Sequence, residues 1–275
     1  MPELPETEVV ARELKQSCHG ACIEKIEILH PEILDRRSDT ILDWYNKAVI
    51  HEVKRYGKHI LLTTVNGQGT RYLGIRLGMT GQLLKQNISA SRVAHTHAVI
   101  HFVDSSFELH FRDSRRFGRV LLLSTPLPTR QGMDPFTIPK AAFIKTMAQG
   151  RGRIKSALMN QKTIAGIGNI YANEILFEAG IYPHQRVNRL DSKRLTELFR
   201  VMKKVLRRGI QKGGTTIRDF RSLHGMPGRF QEFLKVYGRA EKPCLQAGCS
   251  GIIRLLRPTP QAQPSFYCPI CQRKK

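Results

Sequence analysis

The stretch His97-Ala98-Val99-Ile100-His101-Phe102-Val103-Asp104-Ser105-Ser106-Phe107-Glu108-Leu109-His110-Phe111 decides the fold of the first half of the chain. Ala98, Ile100 and Phe102 alternate with His97, Val99 and His101; a polar turn follows; then Phe107, Leu109 and Phe111 alternate again. A period of two puts alternate residues on one face of a strand, so each run predicts a half-buried strand. Asp113-Ser114 marks another turn, and Arg119 leads into Val120-Leu121-Leu122-Leu123. Short consecutive strands joined by polar turns predict antiparallel sheets arranged as a sandwich.

Working outward, strand-like patterning extends back to about residue 23, and residues 5–18 before it read as a helix. Pro5 suits a first helical position, Glu6 and Glu8 suit the positive end of the helix dipole, and Val9, Val10 and Leu14 recur at helical spacing. In the other direction, Ser124–Gly132 has the composition of a linker. Helical periodicity then covers about 140–149, 153–160, 170–179 and 191–212, with Gly180, Gly213 and Gly214 as stops. From about 238 the chain carries four clustered cysteines and short β-like pieces such as Ile252-Ile253. The expected fold class is α+β and multidomain: an N-terminal helix plus antiparallel β-sandwich (1–125), a linker (126–139), a helical domain (140–237) and a small C-terminal metal-binding module (238–275).

The 275 residues include 45 Lys plus Arg against 22 Asp plus Glu, a formal charge of +23. The cations are spread along the chain, so the folded body itself is cationic and seeks a polyanion, nucleic acid first. A hydrophobic content of 41% excludes wholesale disorder. No apolar run reaches about 18 residues, and the opening Met-Pro-Glu-Leu-Pro-Glu is too acidic for a signal peptide. A non-membrane, cytoplasmic protein is expected.

Cys244-x4-Cys249, an eighteen-residue spacer and Cys268-x2-Cys271 form two close thiol pairs. Four thiolates at that spacing suit one tetrahedral structural zinc, whose binding supplies folding energy to a module with little core. Cys18 and Cys22 lack a second pair nearby and read as free thiols. Gly166-Ile167-Gly168-Asn169 sits between two helices, where backbone amides can hold a phosphate or the glycines simply allow a tight turn. Arg151, Arg153 and Lys155 precede it as cations facing the same task. Asp113-Ser114-Arg115-Arg116-Phe117-Gly118 places an aromatic ring beside guanidiniums, a wedge for a base step or an ordinary hairpin tip. Once an initiator methionine is removed, Pro2 carries a secondary amine with a pKa near 8, able to attack a carbonyl-type carbon, with Glu3 and Glu6 as acid/base neighbours.

Taken in order, Met1-Pro2-Glu3-Leu4-Pro5-Glu6, Gly57-Lys58, Leu77-Gly78-Met79-Thr80-Gly81, the 113–118 turn, Gly166–Tyr171, Gly213-Gly214-Thr215-Thr216, Val236-Tyr237-Gly238-Arg239 and the terminal cysteines resemble the formamidopyrimidine-DNA glycosylase family over nearly the whole chain. The resemblance implies a helix-two-turn-helix domain, a C-terminal β-hairpin zinc finger and action on double-stranded DNA with a damaged base or abasic site; a monomer is expected because every part of the proposed site lies on one chain. It implies a bifunctional glycosylase and AP lyase of base excision repair, which extrudes an oxidised purine such as 8-oxoguanine or a formamidopyrimidine and works through a Schiff base. On that likeness Pro2 is the nucleophile, Glu3 the acid/base group and Lys58 a supporting cation near the lesion phosphate. Met79, Arg115 and Phe117 fill the hole in the duplex, and His95, Arg151, Asn169 and Tyr237 hold phosphates. Cys244, Cys249, Cys268 and Cys271 hold the zinc, the loop after Gly213 covers the flipped base, and Glu174 matches a further acidic position. A bacterial, nucleoid-associated location follows.

Two departures stand out. The first cysteine pair is spaced x4 where the family commonly has x2, and Gln263 stands where the family usually has a phosphate-gripping arginine. The second predicts weaker or altered excision of the usual oxidised purine. Two other readings remain open: a divergent paralogue acting mainly on abasic sites, other lesions or crosslinks, and a noncatalytic zinc-dependent protein that binds damaged DNA.

Overall fold

The computed structural model describes residues 2–126, 132–256 and 263–273. Its contacts divide the chain into two compact units, Met1–Thr129 with Gly209–Gln231, and Arg130–Arg208 with Glu232–Lys275.

The first unit opens with α1 (Leu4–Cys18), whose start is fixed by Pro5 in the first turn and by Glu6 Oε2 accepting the N–H of Glu3 at 2.8 Å. Eight strands follow: β1 (Ile23–Ile28), β2 (Val49–Tyr56), β3 (His59–Asn66), β4 (Gly69–Arg76), β5 (Gln82–Asn87), β6 (Thr96–Phe102), β7 (Phe107–Arg112) and β8 (Arg119–Leu123). They form two four-stranded antiparallel sheets, ordered β1-β6-β7-β5 and β2-β3-β4-β8. Ile100, Leu109 and Phe111 from one sheet share a core with Ile60, Leu73, Ile75 and Val120 from the other, as the sandwich expectation requires. Val10 and Leu14 of α1 enter the same core.

Phe220 and Leu223, from the segment after the long helix, are buried in that core as well. Further ties hold the segment: Leu223 N–H donates to Glu13 Oε2 at 2.7 Å and Lys85 N–H to Leu223 O at 2.8 Å. The expected helical domain spans 140–237, and of it residues 209–231 pack through these apolar anchors with the first unit.

The second unit contains α2 (Lys140–Ala148), α3 (Ile154–Met159), α4 (Asn169–Glu178) and most of α5 (Ser192–Gln211), each within two residues of its expected bounds, then the hairpin β9 (Arg254–Leu256) and β10 (Ser265–Tyr267). Ile252 makes only an isolated bridge to Pro243, so the expected strand begins two residues later. The expected linker 126–139 lies partly outside the described residues. No helix among the described residues is long and apolar enough to cross a membrane.

Candidate active site and nucleic-acid interface

In the first unit, β2 and β3 are joined by the two-residue turn Gly57-Lys58. Gly57 has φ +58°, a value that fits the primed hairpin turns and a glycine in the first position. The turn aims Lys58 into a cleft of about 370 Å³ whose lining also includes Pro2, Met79 and Phe117. Burial pushes the Lys58 ammonium below the ordinary lysine range, against the opposing pull of the Glu3 and Glu6 carboxylates. Pro2 and Glu3 are buried at the head of α1. Glu6 contributes differently from its sequence expectation. Its Oε2 accepts from Glu3 N–H, and its Oε1 accepts from Thr215 N–H at 2.6 Å, so both oxygens serve the scaffold. Gly214, at φ +82°, lies so close that a Cβ there would meet Glu6 Cγ at 3.0 Å.

The wedge is built from two turns pressed backbone to backbone. A Cβ on Gly78 would come within 2.6 Å of Gly118 N, so neither turn accommodates a side chain at that point. Asp113, fully buried, ties the second turn together: Oδ1 accepts from the Thr80 hydroxyl and from Arg115 N–H at 3.1 Å, and Oδ2 from Gly118 N–H at 2.7 Å. On this frame Met79 and Phe117 stay 40% and 45% exposed despite being apolar. The Arg115 guanidinium lies 4.7 Å from the centroid of the Phe117 ring. His95, exposed at φ +63°, borders the turn through its carbonyl, which accepts Asp113 N–H at 3.0 Å.

Arg76 and Arg119, which sequence reasoning did not single out, also line the cleft. They are cross-strand partners on β4 and β8, a juxtaposition invisible without the strand register. Arg76 Nε is buried without a hydrogen-bond partner. Arg119 donates to the carbonyls of Arg116 and Gly118, both at 2.6 Å, buttressing the wedge.

In the second unit, Asn169 opens α4 and is buried, and Asn173 one turn on donates to its carbonyl at 2.6 Å. The preceding glycine turn is closed by Gln161, which donates to Ile167 O at 2.7 Å and accepts from Gly166 N–H at 2.9 Å. Glu174 receives the N–H groups of Lys235, Val236 and Tyr237 at 2.8–2.9 Å, fixing the turn that carries Tyr237. Burial pushes its carboxyl up, opposed by those three donors. Arg151 is exposed in the connection between α2 and α3. Lys155 is not surface-facing like its neighbours. It is 4% exposed, and its Nζ donates to Gln263 O at 3.1 Å, Pro264 O at 2.6 Å and Ser265 Oγ at 2.9 Å.

The Sγ atoms of Cys244, Cys249, Cys268 and Cys271 all lie within 4.8 Å of one another. Three of the separations are 3.4, 3.6 and 3.8 Å, against about 3.8 Å for the edge of a tetrahedron with 2.3 Å metal–sulfur bonds. The N–H groups of Gln246 and Gly251 point at Cys244 and Cys249 sulfurs at 3.4 Å, as suits thiolates. The x4 spacing thus still closes a four-sulfur set that fits a metal ion. Cys18 sits in the sandwich core, where burial pushes its thiol up to about 12, and among the described residues it belongs to no metal-like cluster.

Residues 1–120 match the formamidopyrimidine-DNA glycosylase N-terminal domain and residues 132–221 the H2TH domain of the same enzyme. The chain belongs to the formamidopyrimidine-DNA glycosylase family. Among curated family members, the proteins of Carboxydothermus hydrogenoformans and Dinoroseobacter shibae are 35% and 36% identical, the alignments covering 99% of this chain and 100% of each relative. Two solved Lactococcus lactis Fpg complexes, one with DNA containing an abasic site and one with DNA containing Fapy-dG, are each 28% identical, with TM-scores of 0.87 and 0.85 over 99% of this chain and 100% of theirs. Membership makes this an Fpg-type DNA glycosylase fold of base excision repair, with the H2TH match in the second unit as far as residue 208 and a cysteine cluster consistent with a zinc finger.

Proposed function

We propose that this protein removes damaged purines from double-stranded DNA through the amine of Pro2 and then cleaves the strand at the resulting site. The observation that carries this reading is the single cleft lined by Pro2, Lys58, Met79 and Phe117, which sets a nucleophile beside a cation and two exposed apolar side chains. The wedge residues fill the space left when a nucleotide leaves the stack, offsetting lost stacking.

With Met1 removed, the Pro2 nitrogen lone pair attacks C1′ and the C1′–N bond to the base breaks, its electron pair leaving with the base, which takes up a proton. Glu3 protonates O4′ as the sugar ring opens, producing a cationic iminium at C1′. That cation acidifies C2′; loss of a C2′ proton expels the 3′ phosphate by β-elimination, and water releases Pro2. Lys58 and Arg76 supply positive charge for phosphates at the cleft. Arg151, Asn169 and Tyr237 hold strand phosphates elsewhere, and the segment after Gly213 covers the extruded base. The four cysteines hold one zinc ion, which has a structural role because all its ligands come from protein. A cytoplasmic monomer fits this chemistry, since one chain carries every group. Gln263 supports a shift in lesion preference away from 8-oxoguanine, testable by comparing Gln263→Arg with the parent on an oligonucleotide panel.

Borohydride reduction on an abasic-site duplex tests the central step. Processed protein becomes covalently linked to the strand. Protein that retains Met1 binds the duplex but gives no adduct. Absence of an adduct with processed protein overturns the proposal in favour of a DNA-binding role alone.

A further inference from the structure

The second unit holds a cavity of about 310 Å³ between α3 and the residues at the start of β10. Arg153, His184, Ser156, Asn160 and Gln263 all line it, and among the described residues no carboxylate does. Neither the Arg153 guanidinium nor the His184 imidazole has a hydrogen-bond partner among the described residues, although His184 is only partly exposed. Both residues border the same space, and among the described residues nothing anionic in the lining answers their charge.

We propose that this cavity is an oxyanion site, with Arg153 and His184 as the donors facing the ligand and a backbone phosphate of the bound DNA strand as the occupant. The proposal rests on the reading that DNA is the partner. Three features support it. First, Lys155 spends its donors on Gln263 O, Pro264 O and Ser265 Oγ, so it shapes one wall of the cavity while Arg153 keeps donors for a ligand. Second, burial, then the charges of Arg153 and Lys155, hold the His184 imidazole below the ordinary histidine range; a phosphate in the cavity reverses the electrostatic part of that shift. Third, the neutral Gln263 shares the cavity with Arg153. Gln263 brings no charge to the cavity, whereas the planar guanidinium of Arg153 can grip a phosphate with two parallel bonds.

The test uses full-length, metal-loaded protein labelled with 13C-histidine, the His184 signal being assigned with His184→Gln. Titration with an abasic-site duplex shifts the His184 ring signal. Arg153→Gln binds that duplex about five- to tenfold more weakly at about 0.1 M salt, with a salt slope shallower by about 1. An unmoved His184 signal, or a parent-like affinity and slope in Arg153→Gln, overturns the proposal. So does a shift produced by inorganic phosphate and not by the duplex. Borohydride trapping by the parent protein reports separately on the Pro2 reading.

Discussion

The cleft of the first unit and the cysteine knuckle of the second are held together by opposite means. The cleft stands on a sandwich core and on backbone groups caught by buried carboxylates: Asp113 closes the wedge turn, and Glu6 joins the head of α1 to Thr215. The knuckle has only a handful of buried apolar residues, Phe177, Val236 and Ile253 among them, around four sulfurs. The contrast teaches that the cleft is braced by core packing and hydrogen bonds, whereas the knuckle, with little apolar core, gathers four sulfurs placed to hold a metal ion.

Removing the metal is the strongest way to break the comparison. Structural zinc contributes about 10–16 kcal/mol in small modules, so chelation is expected to abolish amide-exchange protection around residues 244–272 while leaving β3 and β4 protected. Retained protection in the knuckle would end the distinction. Asp113→Ala sharpens it from the other side. Three donors lose a buried acceptor, and about 3 kcal/mol of stability is expected to go, measurable as a lower denaturant midpoint, with the knuckle's metal content unchanged.

A smaller effect concerns acid. In the first unit, burial and the charges of Arg37 and Arg76 lower His59 to about 4, against 6.5 in the unfolded chain. Between those values the unfolded state binds more protons than the folded one, so stability falls as pH drops from about 6.5 toward 4, by up to about 3 kcal/mol. His59→Asn is expected to flatten this part of the pH–stability curve; an unchanged curve would assign the acid sensitivity elsewhere.

The two regions also differ in what their sequences disclose. The knuckle is readable from cysteine spacing because metal geometry constrains local spacing directly. Strands and helices of both units follow from periods of 2 and 3.6, which burial of one face imposes. The cleft is hidden from such reasoning: Pro2 and Lys58 are 56 residues apart, and only resemblance brings them together. Arg76 and Arg119 carry no local signal at all, because their pairing exists only in the β4–β8 register. Lys155 reads like the cations beside it, yet its environment is set by a hairpin more than a hundred residues away. Charge pattern cannot separate a buried anchor from a surface ligand.

The return of Gly209–Gln231 to the sandwich carries a consequence for biosynthesis. With Phe220 and Leu223 in the core and Glu6 bonded to Thr215, the first unit lacks part of its interior until the ribosome has extruded the whole intervening segment, Arg130–Arg208. The half that begins synthesis first is therefore completed late, and nascent chains stalled before residue 220 are expected to expose apolar sheet surface to chaperones.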